Sequence, residues 1–223
     1  MKKNIQRHNE LDYIFSVPDD FSEENKYPAV IFLHGAGGRG RDIQKIETNP
    51  YFIHTDKYEL EMVTFAPQCY ANSWFDIFEQ LTEFVQSVLE NKYVDKERVY
   101  VMGASMGGYA TWQLAMSHPE LFAAIVPVCG GGMYWNADRI KDMGVWAYHG
   151  SADDIVFPEE SKKMVNAVNN AGGHAKLTIC EGVGHHSWDN AYTNRELFDW
   201  LMSNKLSAYE ETKSKYNNQE DFG

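Results

Sequence analysis

Residues 98–117 read RVYVMGASMGGYATWQLAMS, and both the fold and the chemistry follow from how this stretch divides. Arg98 to Met102 is a short apolar run of strand type, and Met106 to Ser117 reads as a helix stopped by His118-Pro119. Between them lies Gly103-Ala104-Ser105-Met106-Gly107, a G-x-S-x-G turn. A serine hydroxyl is a weak nucleophile, so it must be presented on a sharp strand-to-helix turn within reach of a base. Small glycines flank it because such a turn leaves no room for a Cβ against the neighbouring backbone. The helix starting at Met106 also aims free N–H groups and a positive dipole end at developing negative charge.

Outward from this turn, strands and helices alternate. Residues 11–17 (LDYIFSV), 29–33 (AVIFL), 60–66 (LEMVTFA), 123–129 (AAIVPVC), 145–148 (VWAY) and 175–180 (AKLTIC) read as strands. AVIFL is apolar throughout, the pattern of a strand buried on both faces. Apolar positions 74, 77, 78, 81, 84, 85, 88 and 89 have helical spacing, and helices at about 159–171 and 191–203 fill the remaining gaps. This order predicts an α/β fold with a mostly parallel central sheet and helices on both faces. One catalytic domain is expected over residues 11–203, between a polar segment at 1–10 and a polar tail at 204–223.

Composition narrows the partners. The 223 residues include 12 Phe, 13 Tyr and 6 Trp, enough apolar surface for a real core. No apolar run approaches the roughly 20 residues that span a bilayer, so no membrane is expected. The start, MKKNIQRHNE, has no apolar stretch behind its lysines, and a secretory signal is not expected. Cys69, Cys129 and Cys180 are odd in number and lack metal-ligand spacing, which suggests free thiols in a reducing cytoplasm. Twenty Lys+Arg against 32 Asp+Glu give a net charge of −12, which disfavours nucleic acid and acidic substrates alike.

Two loops supply possible partners for Ser105. After VWAY comes His149-Gly150-Ser151-Ala152-Asp153-Asp154-Ile155-Val156, and after AKLTIC comes Glu181-Gly182-Val183-Gly184-His185-His186-Ser187-Trp188. Both sit at expected carboxyl ends of strands, where open α/β sheets place their sites, and they follow the chain order serine, acid, histidine. Asp153 or Asp154 would orient an imidazole, and His185 or His186 would take the serine proton.

Together, His34-Gly35-x-Gly, Gly103-x-Ser105-x-Gly107-Gly108, His149-Gly-x-x-Asp153-x-x-Val156 and Gly184-His185-x-Ser-Trp188 resemble the small α/β-hydrolase carboxylesterases. That grouping takes in phospholipase/carboxylesterase, feruloyl-esterase-like and dienelactone hydrolase-related members, and the resemblance spans about residues 11–203. It implies an α/β-hydrolase fold and a serine esterase with Asp153 as the acid and His185 as the base. It also implies a small-molecule ester substrate, with no metal and no organic cofactor. In the resembled esterases the loop carrying Trp74 tends to lie near the substrate.

Acyl transfer puts negative charge on the carbonyl oxygen, so two preorganised N–H donors are expected. One is the backbone N–H of Met106; the other is that of Ala36, in the Gly-rich loop after AVIFL. Trp135 and Trp188, like Trp74, lie in motif loops and are candidates for a flat apolar slot. Residues 11–203 are expected to hold every element of the core, and no separate cap domain is expected. Loops at about 38–58 and 130–142 would select the substrate, which favours an open cleft.

Competing readings find less support. Gly35-Ala-Gly37-Gly-Arg-Gly40 satisfies the dinucleotide fingerprint G-x-G-x-x-G, but residues 41–45 lack the apolar face of a packed helix. The Tyr209-x-x-x-Lys213 string that would complete a dehydrogenase pair lies in the polar tail. A peptidase, thioesterase or lysophospholipase would use the same triad, whereas a silent binding module predicts a broken one.

Overall fold

The computed structural model describes residues 1–207. Eight strands form one sheet: β1 (Lys2–His8), β2 (Leu11–Val17), β3 (Tyr27–Leu33), β4 (Val63–Pro67), β5 (Val94–Ala104), β6 (Ala124–Val128), β7 (Gly144–Gly150) and β8 (Lys176–Cys180). Their spatial order is β1-β2-β4-β3-β5-β6-β7-β8. β2 runs antiparallel to both of its neighbours, and β4 through β8 are parallel. The helices are α1 (Gln44–Glu47), α2 (Pro50–Tyr58), α3 (Phe78–Leu89), α4 (Met106–Ser117), α5 (Glu159–Asn170), α6 (Trp188–Tyr192) and α7 (Arg195–Ser203).

The continuous apolar runs are explained by two cores, one on each face. Along β3, Ala29, Ile31 and Leu33 join one cluster with α3, α4 and α5, while Val30 and Phe32 join a second with α2, α6 and α7. β5 divides the same way, Val99 and Val101 against Tyr100, Met102 and Ala104. Successive side chains point to opposite faces of a strand, so a strand covered on both sides must be apolar at every position.

Two features depart from the sequence reading, and a third lies mostly outside the described residues. The polar segment at 1–10, placed before the domain, joins its sheet: Lys2–His8 pairs along its full length with Leu11–Val17 through a tight turn in which Asn9 has φ 50°. This edge strand is largely exposed, with only Ile5 among its seven residues strongly apolar, so no periodicity announces it. The helix expected at 191–203 is two, α6 and α7, because the Asn194 side chain accepts from the Glu196 N–H and caps a new start. The tail expected at 204–223 lies, from residue 208 onward, outside the described residues, as does Tyr209-x-x-x-Lys213. Among the described residues no helix is long and apolar enough to cross a membrane.

Candidate active site

β5 ends at Ala104 and α4 begins at Met106, leaving Ser105 alone on the turn at φ 56°, ψ −118°. A left-handed φ costs a non-glycine residue on the order of 1–3 kcal/mol, and it persists only where the surroundings enforce it. Here the Ser105 N–H donates to the Val128 carbonyl at 2.9 Å, tying the turn to β6. The hydroxyl it presents lies 2.8 Å from His185 Nε2, and His185 Nδ1 lies 2.8 Å from Asp153 Oδ2.

Asp153 is buried, and its second oxygen accepts from the N–H groups of Ile155 and Val156, each at 3.0 Å. Burial pushes its carboxyl pKa up. The bonds from His185, Val156 and Ile155 outweigh that and hold the group below the usual carboxylate range. Asp154 and His186, the neighbours left open by spacing, are both exposed and outside this line.

The Gly-rich loop faces Ser105 from β3. Ala36–Gly38 forms a single 3₁₀ turn, and an added Cβ on Gly35 would sit only 3.2 Å from the Ala104 carbonyl oxygen. His34 braces this turn from beneath. Its Nδ1–H donates to the Gly35 carbonyl at 2.7 Å, and its Nε2 accepts from the Cys69 N–H at 2.9 Å. Burial lowers the pKa of His34 to about 4, so the ring is neutral when it makes these bonds. Ala36 lines the cleft together with Ser105. Met106 opens α4, and the first N–H groups of a helix have no partner within it.

Cys129, Asp153 and His185 place possible ligand atoms within 4.8 Å of one another. The carboxylate and the imidazole are engaged with each other, and burial pushes the Cys129 thiol up to about 12. An ion bound there would have to break the His185–Asp153 bond.

A model of the prolyl oligopeptidase family matches residues 64–142. A probable feruloyl esterase C of Aspergillus niger is 23% identical over 164 residues, covering 70% of this chain and 60% of its own length. The solved structure of a thermostable esterase superposes with TM-score 0.81 at 31% identity, covering 92% of this chain and 63% of its own. A ferulic acid esterase structure superposes with TM-score 0.70 at 16% identity, covering 90% and 97%. The chain has the α/β-hydrolase fold. It spans about three fifths of the length of the feruloyl esterase and of the thermostable esterase.

The open cleft of this α/β-hydrolase fold, about 380 Å³, runs over Ser105 between the Gly-rich turn and His185. Trp188 lines it, its indole edge-on to His185 with ring centroids 5.6 Å apart. Two other tryptophans depart from expectation. Trp74 is fully buried: its indole N–H donates to the His34 carbonyl at 3.1 Å and its ring packs on the His34 ring. It supports the Gly-rich turn from below and does not line the cleft. Trp135 is 71% exposed, packs edge-on against Tyr134, and is not among the cleft-lining residues. The far wall comes instead from Lys45, Thr48, Asn49 and Pro50, inside the 38–58 loop that the sequence marked only by its length. Asn49-Pro50, an N-cap followed by proline at the first helical position, was the local signal for a helix start there.

Proposed function

We propose that this chain is a serine carboxylesterase that hydrolyses small acyl or aryl esters through an acyl-enzyme. The observation that carries the reading is the unbroken line Ser105 Oγ, His185, Asp153, each link 2.8 Å, opening into the cleft. Ser105 attacks the ester carbonyl while His185 Nε2 takes its proton. Asp153 holds the Nδ1–H and stabilises the imidazolium. The N–H groups of Ala36 and Met106 meet the oxyanion. His185 then passes its proton to the leaving alcohol, and water, activated by the same imidazole, releases the acid. Every step uses side chains and backbone of this chain, so the reading needs no cofactor.

Trp188 supplies the apolar wall against which a substrate chain lies. The names of the similar proteins, feruloyl esterase and esterase, support an ester as substrate. The match to the prolyl oligopeptidase family keeps a short peptide as the second reading. Three buried, unpaired cysteines support a reducing, cytoplasmic setting. Hydrolysis of p-nitrophenyl acetate or butyrate tests the proposal: a wild-type rate no faster than that of Ser105→Ala rejects it. A panel of feruloyl, acetyl and peptide substrates decides between the two substrate classes.

A further inference from the structure

We infer that His149 is a positioning residue, a second imidazole on the triad carboxylate that fixes Asp153 in the orientation His185 reads. The inference rests on the serine-hydrolase reading above. His149 is the penultimate residue of β7 and is fully buried. Its Nε2 lies 2.8 Å from the Val156 carbonyl oxygen and 3.2 Å from Asp153 Oδ2. Both neighbours are acceptors, so Nε2 carries a ring proton. Its Nδ1 faces the Ser161 hydroxyl at 2.7 Å, and that hydroxyl also lies 2.9 Å from the Gly130 carbonyl.

Asp153 Oδ2 is therefore flanked by two ring nitrogens, His185 Nδ1 at 2.8 Å and His149 Nε2 at 3.2 Å, while Oδ1 is held by two backbone N–H groups. One ring nitrogen touches both ends of the acid turn, residues 153 and 156. This gives a physical reason for the spacing His149-x-x-x-Asp153-x-x-Val156 in the sequence.

The second N–H also has a chemical effect. Its hydrogen bond goes to the Val156 carbonyl, but its positive end lies 3.2 Å from Asp153 Oδ2 and offsets part of the charge that stabilises the His185 imidazolium, so its loss strengthens the hold of Asp153 on that cation. The acid limb of the kcat/KM profile then moves to higher pH. Other titratable groups facing the pair are Cys129 after β6, Tyr109 on α4 and Glu159 at the start of α5. Burial raises the first two, which stay neutral in the working range. Backbone and Lys162 hydrogen bonds lower Glu159, which stays ionised.

His149→Gln and His149→Asn separate the roles, because glutamine reaches about as far as Nε2 and asparagine only about as far as Nδ1. On p-nitrophenyl acetate, His149→Asn is expected to lose on the order of 10- to 100-fold in kcat with KM little changed. Its acid limb should rise by about half a pH unit. His149→Gln should stay within about threefold of wild type with an unmoved limb. Asparagine and glutamine variants that fall equally, or an asparagine variant with wild-type kcat and limb, overturn the role.

If the variants do not fold, the wild-type protein still decides. A long-range 1H–15N correlation spectrum should show a proton on His149 Nε2, and an unprotonated Nε2 overturns the arrangement. Fluorophosphonate labelling keeps the two readings apart. An unlabelled wild type rejects the serine-hydrolase reading, whereas a labelled wild type with indistinguishable asparagine and glutamine variants rejects the role of His149 alone.

Discussion

A single methyl group at Gly107 is a sharp probe of the nucleophile turn. An alanine Cβ there would lie 1.9 Å from the Leu33 carbonyl oxygen, 2.6 Å from the Leu33 carbonyl carbon and 2.9 Å from the His34 oxygen. A relaxed C···O contact is about 3.3 Å, so the end of β3 and the start of α4 must part by roughly 1.4 Å. The obstacle is backbone, and no rotamer change relieves it. Both segments that must move carry the donors proposed for the oxyanion, Ala36 beyond β3 and Met106 at the head of α4. Overpacking of this kind costs about 1–3 kcal/mol in stability. A 1 Å misplacement of catalytic groups costs on the order of 100-fold in rate. Gly107→Ala should therefore lower the urea midpoint and cut kcat/KM on p-nitrophenyl acetate by about those amounts. Gly37→Ala is the stability control, since an added Cβ there meets nothing within 4 Å. A Gly107→Ala protein with the midpoint and rate of wild type would refute the close-approach argument.

Three further perturbations test the surroundings of the site. The pKa of His34 is about 4 in the folded protein against 6.5 in the free side chain, so the unfolded chain binds the proton first as pH falls. The stability that His34 contributes is present above about pH 6.5 and lost towards pH 4, about 3 kcal/mol in all. Urea midpoints at pH 7.5 and 4.5 should converge more in His34→Gln than in wild type, and equal pH slopes would contradict this. Trp74→Phe keeps a ring but leaves the buried His34 carbonyl without its donor, a loss of about 1–3 kcal/mol by thermal melting with KM unchanged. A raised KM at full stability would return Trp74 to the substrate. Trp188→Ala should raise KM for aryl esters severalfold while Trp135→Ala leaves it unchanged; the opposite ranking in steady-state kinetics would move the binding wall to the 130–142 loop.

The parts of the site legible in the sequence were those with a local signature. Ser105 announces itself because the turn demands glycine on both sides, and strand and helix flank it within a few residues. Asp153 and His185 were reachable because each follows an apolar strand directly, so loop and strand end could be placed together. Choosing them over Asp154 and His186 took a resemblance, because neighbouring residues in a loop differ in direction and not in chemistry. Trp74 was misplaced for a related reason. The sequence puts it near the site loops but does not say whether it packs above or below the Gly-rich turn, and the indole N–H found its acceptor in the buried His34 carbonyl. β1 escaped because an edge strand exposed to water needs no apolar alternation. His149 could be quoted as part of a motif, yet its role depends on contacts to Ser161 and Gly130 that no spacing encodes.

The paired glycines after the nucleophile tie these observations together. Gly107 approaches the end of β3, whereas a Cβ on the next residue, Gly108, would meet the Val128 carbonyl oxygen at 2.5 Å and the Gly130 Cα at 3.2 Å. β3 and β6 are the two strands that flank β5, so the first turn of α4 is wedged into the notch between them. The Gly-rich turn leaves from β3 on one side. On the other, the Gly130 carbonyl receives Ser161, Ser161 meets His149, and His149 touches Asp153. The Ser105 turn is thus in contact with both the half proposed to donate to the oxyanion and the half proposed for acid–base chemistry. Its strained Ser105 backbone is held from both sides, by β3 through Gly107 and by β6 through the Ser105 N–H bond to Val128. A bulkier residue at either glycine would force a choice between the two halves, which is the physical reason for two glycines where the turn geometry alone requires one.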